Sequence, residues 1–577
     1  MSLNIELSKD GYKILKINKN GKKVYLGSKY NQQREVEKFI NSIDEITNKD
    51  NFIILGLAFG EHVKELLKSI DKNSKILIIE FDNELIEYCK KDEEIGKIFK
   101  NKNINIVENE NDIENFIIEN ITEVNVDRLQ ILYYCNYIKI YTEKYDETFT
   151  FIRDLVARIK INRNTFRVHG ELFLENTIFN LPYIAKSTPA NKMQNVYKNK
   201  PAIIVSAGPS LIKNIDELKG VENALILSGG RTLGALLERH IEPSCIGIVD
   251  PGIDSYKLVE PFINKVKSPL FFCDLANERV IKEHKADKIF YSNCKMIFDV
   301  FQQEIVNLYG GGSIAHSLTT FAIYMGCSPI ILIGQDLAYT GDRGHSIDCG
   351  DRWDEKNFDR YKEETDIFVK DINGNFVRTS LVLNDFRVAF ENIIKEYPNV
   401  KFINATEGGA NIEGAENRKL KDVLVSLKKD KIKPMSNFIQ HVDRTKNVIN
   451  ELENNLYSIK EYMRLCESAK KLLSEYKINY YLKKQTGVDK CIQKLNEIDK
   501  KIIEKNYEIT LITTVILKII FEIENDEKFM VKASDSKEVA FNKEFSRSNC
   551  LYSEIEKVLK SSFERIEKSI NDMKEEC

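Results

Sequence analysis

One histidine and two aspartates, all in predicted loops, are the side chains of this sequence that are best suited to chemistry. His345 lies in the loop-like segment 337–350, and an imidazole that titrates near neutral pH can act as a general base. Asp250 and Asp336 each follow an apolar run closely. Such paired carboxylates would hold Mg²⁺ for phosphoryl transfer. Alternatively, Asp250 contacts a ligand hydroxyl and Asp336 caps a loop, and the sequence leaves this choice open.

Strands and helices that alternate along the middle of the chain position these side chains. The pattern predicts an α/β fold with a doubly wound, Rossmann-like parallel sheet. The predicted strands are 202–206, 224–227, 245–249, 269–273, 288–291, 329–333 and 400–403. Because ligands of such sheets bind beyond the carboxyl ends of the strands, the polar and glycine-rich clusters at this edge predict a nucleotide-type ligand. These clusters are 206–210, 228–231, 250–252, 310–313 and 335–339.

Two glycine-rich turns open predicted helices at this edge. The first belongs to AIIVSAGPSL at 202–211 and leads into a predicted helix over 211–219. Gly208 permits close approach of a ligand to the backbone, and Pro209 suits the first turn of a helix. The second turn is GGGS at 310–313. Because helix N-termini bind anions, the two turns could share the phosphate of one ligand.

Further candidates surround the same edge. His316 is a second candidate base, and Tyr339 and Trp353 are candidates for the pocket wall. The glycine-rich segment 404–414 is predicted to return to the pocket mouth. Glu407 within it either contacts a ligand hydroxyl or amine, or serves as a turn acid.

Residues 1–145 predict a second α/β domain. Gly56 and Gly60 follow one predicted strand, and Glu80 ends the next. Nucleoside-binding Rossmann folds hold a ribose with an acid at that position. Because the glycine spacing is incomplete, a structural domain is the preferred interpretation and cofactor binding is the alternative.

Long amphipathic helices are predicted after residue 430. Apolar residues recur at three- and four-residue spacing over 438–480, 491–523 and 551–573, with a polar loop at 525–549. The bundle either packs against the rest of the chain or docks a partner. The predicted domains are an N-terminal α/β domain (1–145), a helical connector (146–200), a central ligand-binding domain (201–425) and a C-terminal helical domain (430–577).

Composition narrows the functional classes. The formal net charge of −3 over 577 residues argues against a nucleic-acid partner. The 11 cysteines contain no C-x-x-C pair, which favours reduced thiols over a zinc site or a disulfide framework. With no predicted signal segment or membrane span, we expect a cytoplasmic protein.

Several motifs together resemble the motility-associated factor (Maf) glycosyltransferases, which modify flagellin. They are SAGPSL (206–211), Asp250-Pro251, GGGSIAHSLTTFAIYMG (310–326), IGQDLAYTG (333–341), His345 and NATEGGANIEG (404–414). The same core is similar to bacterial lipooligosaccharide sialyltransferases. The resemblance implies a CMP-activated nonulosonic acid of the pseudaminic or legionaminic type as donor, and flagellin Ser/Thr hydroxyls as acceptors. It implies no further cofactor and favours chemistry without a metal.

The resemblance also implies roles for the candidate residues. Those implied to cradle the donor phosphate are Gly208, Ser210, Gly311, Gly312 and Ser313. Those implied to contact the nucleoside are Ser228 and Asp250, and those implied to line the sugar site are Gln335, Asp336 and Tyr339. Ser206, Pro209 and Glu407 complete the donor-binding set. His345 and Asp336 are the implied catalytic residues. His345 would deprotonate the acceptor hydroxyl, a step that the leaving CMP phosphate could also perform.

Two other functions compete with this interpretation. A 6-hydroxymethylpterin diphosphokinase has a related core and would use ATP and Mg²⁺ on Asp250 and Asp336. A non-catalytic flagellin-binding chaperone would keep the fold without transfer activity.

Overall fold

The computed structural model describes residues 3–19, 22–43, 46–47, 50–107, 109–308, 310–341, 343–349, 367–532 and 534–575. The chain forms two compact units. The first comprises Met1–Gly170, Tyr462–Glu504 and Thr513–Lys560, and the second comprises Glu171–Glu461, Lys505–Ile512 and Ser561–Cys577. The C-terminal helices are thus divided between the units, and the domain boundaries inferred from sequence stay a prediction.

The first unit contains a three-stranded antiparallel sheet and a four-stranded parallel sheet. Its strands are β1 (Ile5–Leu7), β2 (Lys13–Lys19), β3 (Lys22–Leu26), β4 (Asn51–Leu55), β5 (Ile76–Ile79), β6 (Ile104–Val107) and β7 (Leu129–Tyr133). Its helices are α1 (Gln32–Asn41), α2 (Glu61–Leu66), α3 (Asn83–Lys91), α4 (Gly96–Phe99), α5 (Glu110–Asn120) and α6 (Tyr137–Ile140), and α7 (Thr142–Ile184) continues into the second unit. The parallel strands lie in the order β6-β5-β4-β7. Phe52 and Ile54 enter one core and Ile53 and Leu55 the other, because a parallel sheet is buried on both faces.

The second unit confirms the predicted doubly wound sheet. Its strands are β8 (Thr188–Pro189), β9 (Ala202–Val205), β10 (Leu225–Gly229), β11 (Cys245–Ile248), β12 (Leu270–Cys273), β13 (Lys288–Tyr291), β14 (Ile330–Ile333), β15 (Ile367–Lys370), β16 (Phe376–Thr379), β17 (Phe402–Asn404) and β18 (Glu416–Asn417). Nine strands lie in the order β18-β17-β14-β9-β10-β11-β12-β13-β8. All pairs between them are parallel, whereas β15 and β16 form a separate antiparallel hairpin.

Helices cover both faces of this sheet. They are α8 (Gly230–Leu237), α9 (Ile253–Val259), α10 (Glu278–Glu283), α11 (Lys295–Phe301), α12 (Ile314–Tyr324), α13 (Leu381–Glu396) and α14 (Leu420–Ser426). Ile203 and Val205 of β9 share a core with Leu236 of α8 and Leu420 of α14. Helix α12 lies directly against the sheet, since a Cβ on Gly247 of β11 would lie 2.7 Å from Ile314 Cδ1.

The predicted helix over 211–219 is wrong. Two short 3₁₀ helices, Pro209–Lys213 and Ile215–Leu218, occupy the segment. Asn214 separates them with φ −137° and ψ 0°, and its Nδ2 donates a 2.8 Å hydrogen bond to the Ala405 carbonyl. A tertiary hydrogen bond therefore overrides local helix propensity here.

The C-terminal helices differ from the predicted ones in their bounds: the helix predicted over 491–523 is two separate helices, and the helix predicted over 551–573 begins at Lys537. The observed helices are α15 (Thr445–Tyr481), α16 (Gln485–Glu508), α17 (Thr513–Glu524) and α18 (Lys537–Glu575). The loop predicted over 525–549 is wrong in its second half, where α18 has already begun. Ser536 Oγ caps this helix by accepting from Val539 N at 3.3 Å, and the Phe541 ring stacks on Tyr480 with 3.6 Å between ring centroids. Among the described residues, no helix is long and apolar enough to cross a membrane.

Candidate functional site

The strand order of the second unit reverses between β9 and β14, and a ligand crevice is expected at such a reversal. The loops that leave these two strands are joined by hydrogen bonds. Ser206 N donates to the Ile333 carbonyl at 3.0 Å, and Gly208 N donates to the Gly334 carbonyl at 2.7 Å. The Ser206 hydroxyl also donates to Gln335 Oε1. The structure therefore brings together the two motifs that the sequence places at this edge.

Asp336 fastens the β14 loop to the turn that follows β9. Its buried carboxylate accepts from Ser210 Oγ at 2.7 Å, and Ser210 N lies 3.2 Å from both carboxylate oxygens. Burial raises the pKa of Asp336, while the hydrogen bonds from Ser210 act in the opposite direction. The N–H group that the resemblance assigns to a phosphate is thus engaged by a carboxylate. Of the two sequence alternatives, loop capping describes Asp336.

Gly208 is a glycine because of this contact. Its φ of −62° and ψ of 157° suit any residue, so left-handed geometry is not the reason. A Cβ would lie closer than 3.0 Å to Asp336 Oδ1 and to the Gly334 carbonyl oxygen. Pro209 follows as the first residue of the 3₁₀ helix, as the sequence predicts.

A third loop, which follows β17, closes around Asp336. Gln335 N donates to Thr406 Oγ1 at 3.1 Å, and Ala410 N donates to the Asp336 carbonyl at 2.7 Å. Gly409 has a φ of +77°, which favours glycine. Glu407 is half-buried, and its carbonyl accepts from Lys213 Nζ at 2.7 Å. The segment 404–414 therefore returns to the site, as predicted, and Thr406 is a contributor that the sequence analysis missed.

The loop with the candidate base reaches the same place. Ser346 N donates to the Ala207 carbonyl at 2.8 Å, so the backbone of half-buried His345 lies next to the first glycine turn. Tyr339 N donates to the Arg378 carbonyl at 2.9 Å, and the Arg378 guanidinium lies 4.6 Å from the Tyr339 ring centroid. Trp353, the other predicted wall residue, lies outside the described residues.

His316 caps a helix, so the structure does not support its interpretation as a base. Its Nδ1 accepts from Ser313 N at 3.2 Å, and its Nε2 lies 2.9 Å from the Phe386 carbonyl. Burial lowers the pKa of His316 to about 4. Ser313 Oγ accepts from Ala315 N at 3.3 Å and completes a capping box.

Gly311, two residues before Ser313, lies against this cap. A Cβ on Gly311, whose φ is +151°, would lie 2.6 Å from His316 Nδ1. Gly312 is exposed. Ile314 contacts the end of β10, because a Cβ on Gly229 would lie 2.9 Å from Ile314 Cγ2. The N-terminus of α12 therefore lies one strand away from the β9 turn.

Ser228 and Asp250 lie at neighbouring strand ends, away from β14. The buried Ser228 Oγ lies 2.7 Å from Thr232 Oγ1 and 2.9 Å from the Gly229 carbonyl, so its hydroxyl serves the start of α8. Asp250 is exposed after β11. Three strand spacings separate β11 from β14, which is about 14 Å. The structure does not bring Asp250 and Asp336 together as a shared cation site.

Two asparagines of α7 hold the loops that follow β11 and β12, and neither was predicted from the sequence. Asn180 Nδ2 donates to the Asp274 and Ala276 carbonyls at 2.9 and 2.8 Å. Asn176 Nδ2 donates to the Pro251 carbonyl at 3.1 Å. Their four-residue spacing places both amides on one helix face, which is the signal that could have found them.

The crevice of the first unit is filled by its own tyrosine. Strand order reverses between β4 and β7, where Tyr137 donates its hydroxyl to Glu80 and accepts from Ala58 N at 2.8 Å. A Cβ on Gly56 would lie 2.5 Å from the Tyr137 ring. Glu80 also accepts from Leu57 N at 3.0 Å. The groups that would hold a ribose are thus engaged, which favours the structural interpretation of this domain.

The second unit is an open, doubly wound α/β fold in which three loops converge at the switch point of the parallel sheet. Residues 175–342 match the family model described as 6-hydroxymethylpterin diphosphokinase MptE-like. The structure of a MAf glycosyltransferase from Magnetospirillum magneticum AMB-1 superposes with a TM-score of 0.61 at 14% identity, over 99% of this chain and 93% of that one. The search of curated proteins finds no match. The resemblance inferred from the motifs is confirmed at the level of the fold.

Proposed function

We propose that this chain is a glycosyltransferase that moves a nonulosonic acid, of the pseudaminic or legionaminic type, from a CMP-activated donor to Ser or Thr hydroxyls of flagellin. The observation that carries the proposal is the convergence of three polar loops at the β9–β14 switch point. It occurs in a chain whose fold matches a Maf glycosyltransferase over almost its whole length. Open α/β sheets bind nucleotides at this position.

The donor is proposed to lie above the hydrogen bonds that join the loops. Half-buried Ser206, Tyr339 and Glu407 are accessible from the loop side, whereas Ser210 and Asp336 are buried and hold the floor. The donor phosphate is proposed to lie next to the exposed Gly312, where the missing side chain lets a ligand approach the backbone.

The proposed reaction is a single substitution at the anomeric carbon. The acceptor oxygen forms a bond to that carbon as the bond to the CMP phosphate oxygen breaks. His345 accepts the hydroxyl proton, and CMP leaves with the bonding electron pair.

His345→Ala is expected to lower the transfer rate about 10²-fold or more, measured by the mass of flagellin. His441→Ala, at a histidine whose side chain is 82% exposed, is the matched control. Transfer by the His345 variant at the wild-type rate would assign the proton to the leaving phosphate instead.

Nucleotide preference tests the donor class. Thermal unfolding is measured with CMP, CTP and ATP–Mg²⁺, and CMP is expected to raise the transition temperature because a ligand stabilises the state that binds it. Flagellin co-expressed with this chain and a nonulosonate pathway should gain the mass of the sugar. Unmodified flagellin would favour the chaperone function.

The diphosphokinase is the second candidate, because the family model over residues 175–342 bears that description. It would require Asp250 and Asp336 to act on one Mg²⁺. Asp336 instead binds Ser210, and Asp250 lies three strands away. Stabilisation by ATP–Mg²⁺ with none by CMP would reverse our preference.

A further inference from the structure

The hairpin β15–β16 presents an unusual outer face. Phe368 lies opposite Arg378, and Lys370 lies opposite Phe376, so these four side chains share one face of the hairpin. We call it the outer hairpin face. Phe368 is 60% exposed and Phe376 is 73% exposed. The inner face carries four β-branched side chains, Ile367, Val369, Val377 and Thr379.

This face is continuous with the mouth of the proposed active site. The Arg378 carbonyl accepts from Tyr339 N at 2.9 Å, and the Lys370 carbonyl accepts from Asn411 N at 2.8 Å. The hairpin is therefore fixed to two of the loops that surround Asp336. A polypeptide that reaches the site from the side of these two loops therefore passes close to this hairpin.

The charge of the outer hairpin face is entirely positive. Lys370 is exposed and forms no ion pair within the part of the chain that the structure describes. The adjacent carboxylate of Asp371 accepts from Asn373 N and Asn375 N at 2.8 and 2.9 Å. Because Asp371 serves the turn, the face keeps a positive charge beside two exposed aromatic rings.

We propose that the outer hairpin face binds the acceptor polypeptide through a segment in which carboxylates and apolar side chains flank the modified hydroxyl. The inference rests on the proposed transferase function. The face spans roughly 7 Å along the strands and 5 Å across them, which fits a few residues of an extended chain. Such a face is too small to seat on a lipid bilayer.

Binding of labelled peptides, measured by fluorescence polarisation without donor, tests the inference. One peptide carries Asp and Leu around a serine, and its counterpart carries Lys in place of Asp. The protein should bind the acidic peptide more tightly. Phe368→Ser/Phe376→Ser and Lys370→Glu should each weaken that binding by about 5-fold or more. Val425→Ser, at a valine of α14 that is 83% exposed, should leave it unchanged.

Three results would overturn the proposal: no binding of the acidic peptide, equal binding by the hairpin variants, or hairpin-dependent binding of anionic vesicles instead. Because Phe368 and Phe376 are exposed, their replacement leaves the core intact. CMP-induced stabilisation is measured on the same variants. Peptide binding without any CMP effect would contradict the transferase function but support the docking face. A CMP effect without peptide binding would support the transferase function and contradict the docking face.

Discussion

The role of Gly208 gives the sharpest test of the site. Gly208→Ala places a methyl group closer than 3.0 Å to Asp336 Oδ1 and to the Gly334 carbonyl oxygen, whereas ordinary contact begins at 3.4 Å. The two loops must therefore move apart by at least a few tenths of an ångström. Overpacking of this kind costs about 1–3 kcal/mol. The cost should fall at the upper end, because one of the opposing atoms belongs to the backbone.

Gly252→Ala is a matched control for the same change. Gly252 has a φ of −75° and ψ of 158° and precedes α9, as Gly208 with φ −62° and ψ 157° precedes its 3₁₀ helix. A Cβ at Gly252 meets nothing within 4 Å. An alanine at a compatible glycine position stabilises by about 0.4–1 kcal/mol through the unfolded state. Because the cost at Gly208 and the gain at Gly252 add, the two variants should differ by about 3–4 kcal/mol.

Differential scanning calorimetry measures this difference as a change in transition temperature. At about 2–4 °C per kcal/mol for a large domain, Gly208→Ala should unfold several degrees below Gly252→Ala. CMP should also stabilise the Gly208 variant less, because the loops that form the floor have separated. Equal transition temperatures for the two variants would refute the steric role of Gly208.

Two further predictions concern buried carboxylates. Asp336→Asn replaces an acceptor of the Ser210 N–H by a group that can be a donor, and should cost about 1–3 kcal/mol in calorimetry. Asp254→Asn, at a carboxylate whose side chain is 80% exposed, should cost under about 0.5 kcal/mol, and similar losses would contradict the anchoring role. Burial raises the pKa of Glu80 to about 7 from 4.5, so the folded state holds this proton to higher pH and its contribution to stability falls as pH rises through that window. The unchanged protein should therefore lose up to about 3 kcal/mol of unfolding free energy relative to Glu80→Gln between pH 4.5 and 8. Parallel pH profiles of the two proteins would contradict the raised pKa of Glu80.

The strands were predictable because their signal is local. Ala202–Val205 and Ile330–Ile333 are fully buried, and such strands in parallel sheets are continuous apolar runs bounded by turns. The parallel order and the edge that carries the polar residues follow from alternation with helices. The resemblance to Maf proteins rested on loop motifs that fall at this edge.

The errors have non-local causes. Asn214 breaks the helix predicted over 211–219 because its partner is the Ala405 carbonyl, 191 positions away. Asp336 caps Ser210 across 126 positions. No window of sequence contains such a pair, so an anion-binding turn and a turn capped by its own carboxylate look the same from sequence.

Both parallel sheets reverse their strand order and so form a crevice, but the two crevices differ in what occupies them. In the first unit, Tyr137 uses the groups nearest the sheet, since it binds both Glu80 and Ala58 N. In the second unit, Ser210 and Asp336 likewise satisfy each other at the floor. We therefore expect recognition there to come from the upper parts of the loops, where the half-buried Ser206, Tyr339 and Glu407 lie. Donor affinity should therefore respond more strongly to changes in the loops 335–349 and 404–414 than to changes at strand ends such as Ser228, whose hydroxyl already has two partners.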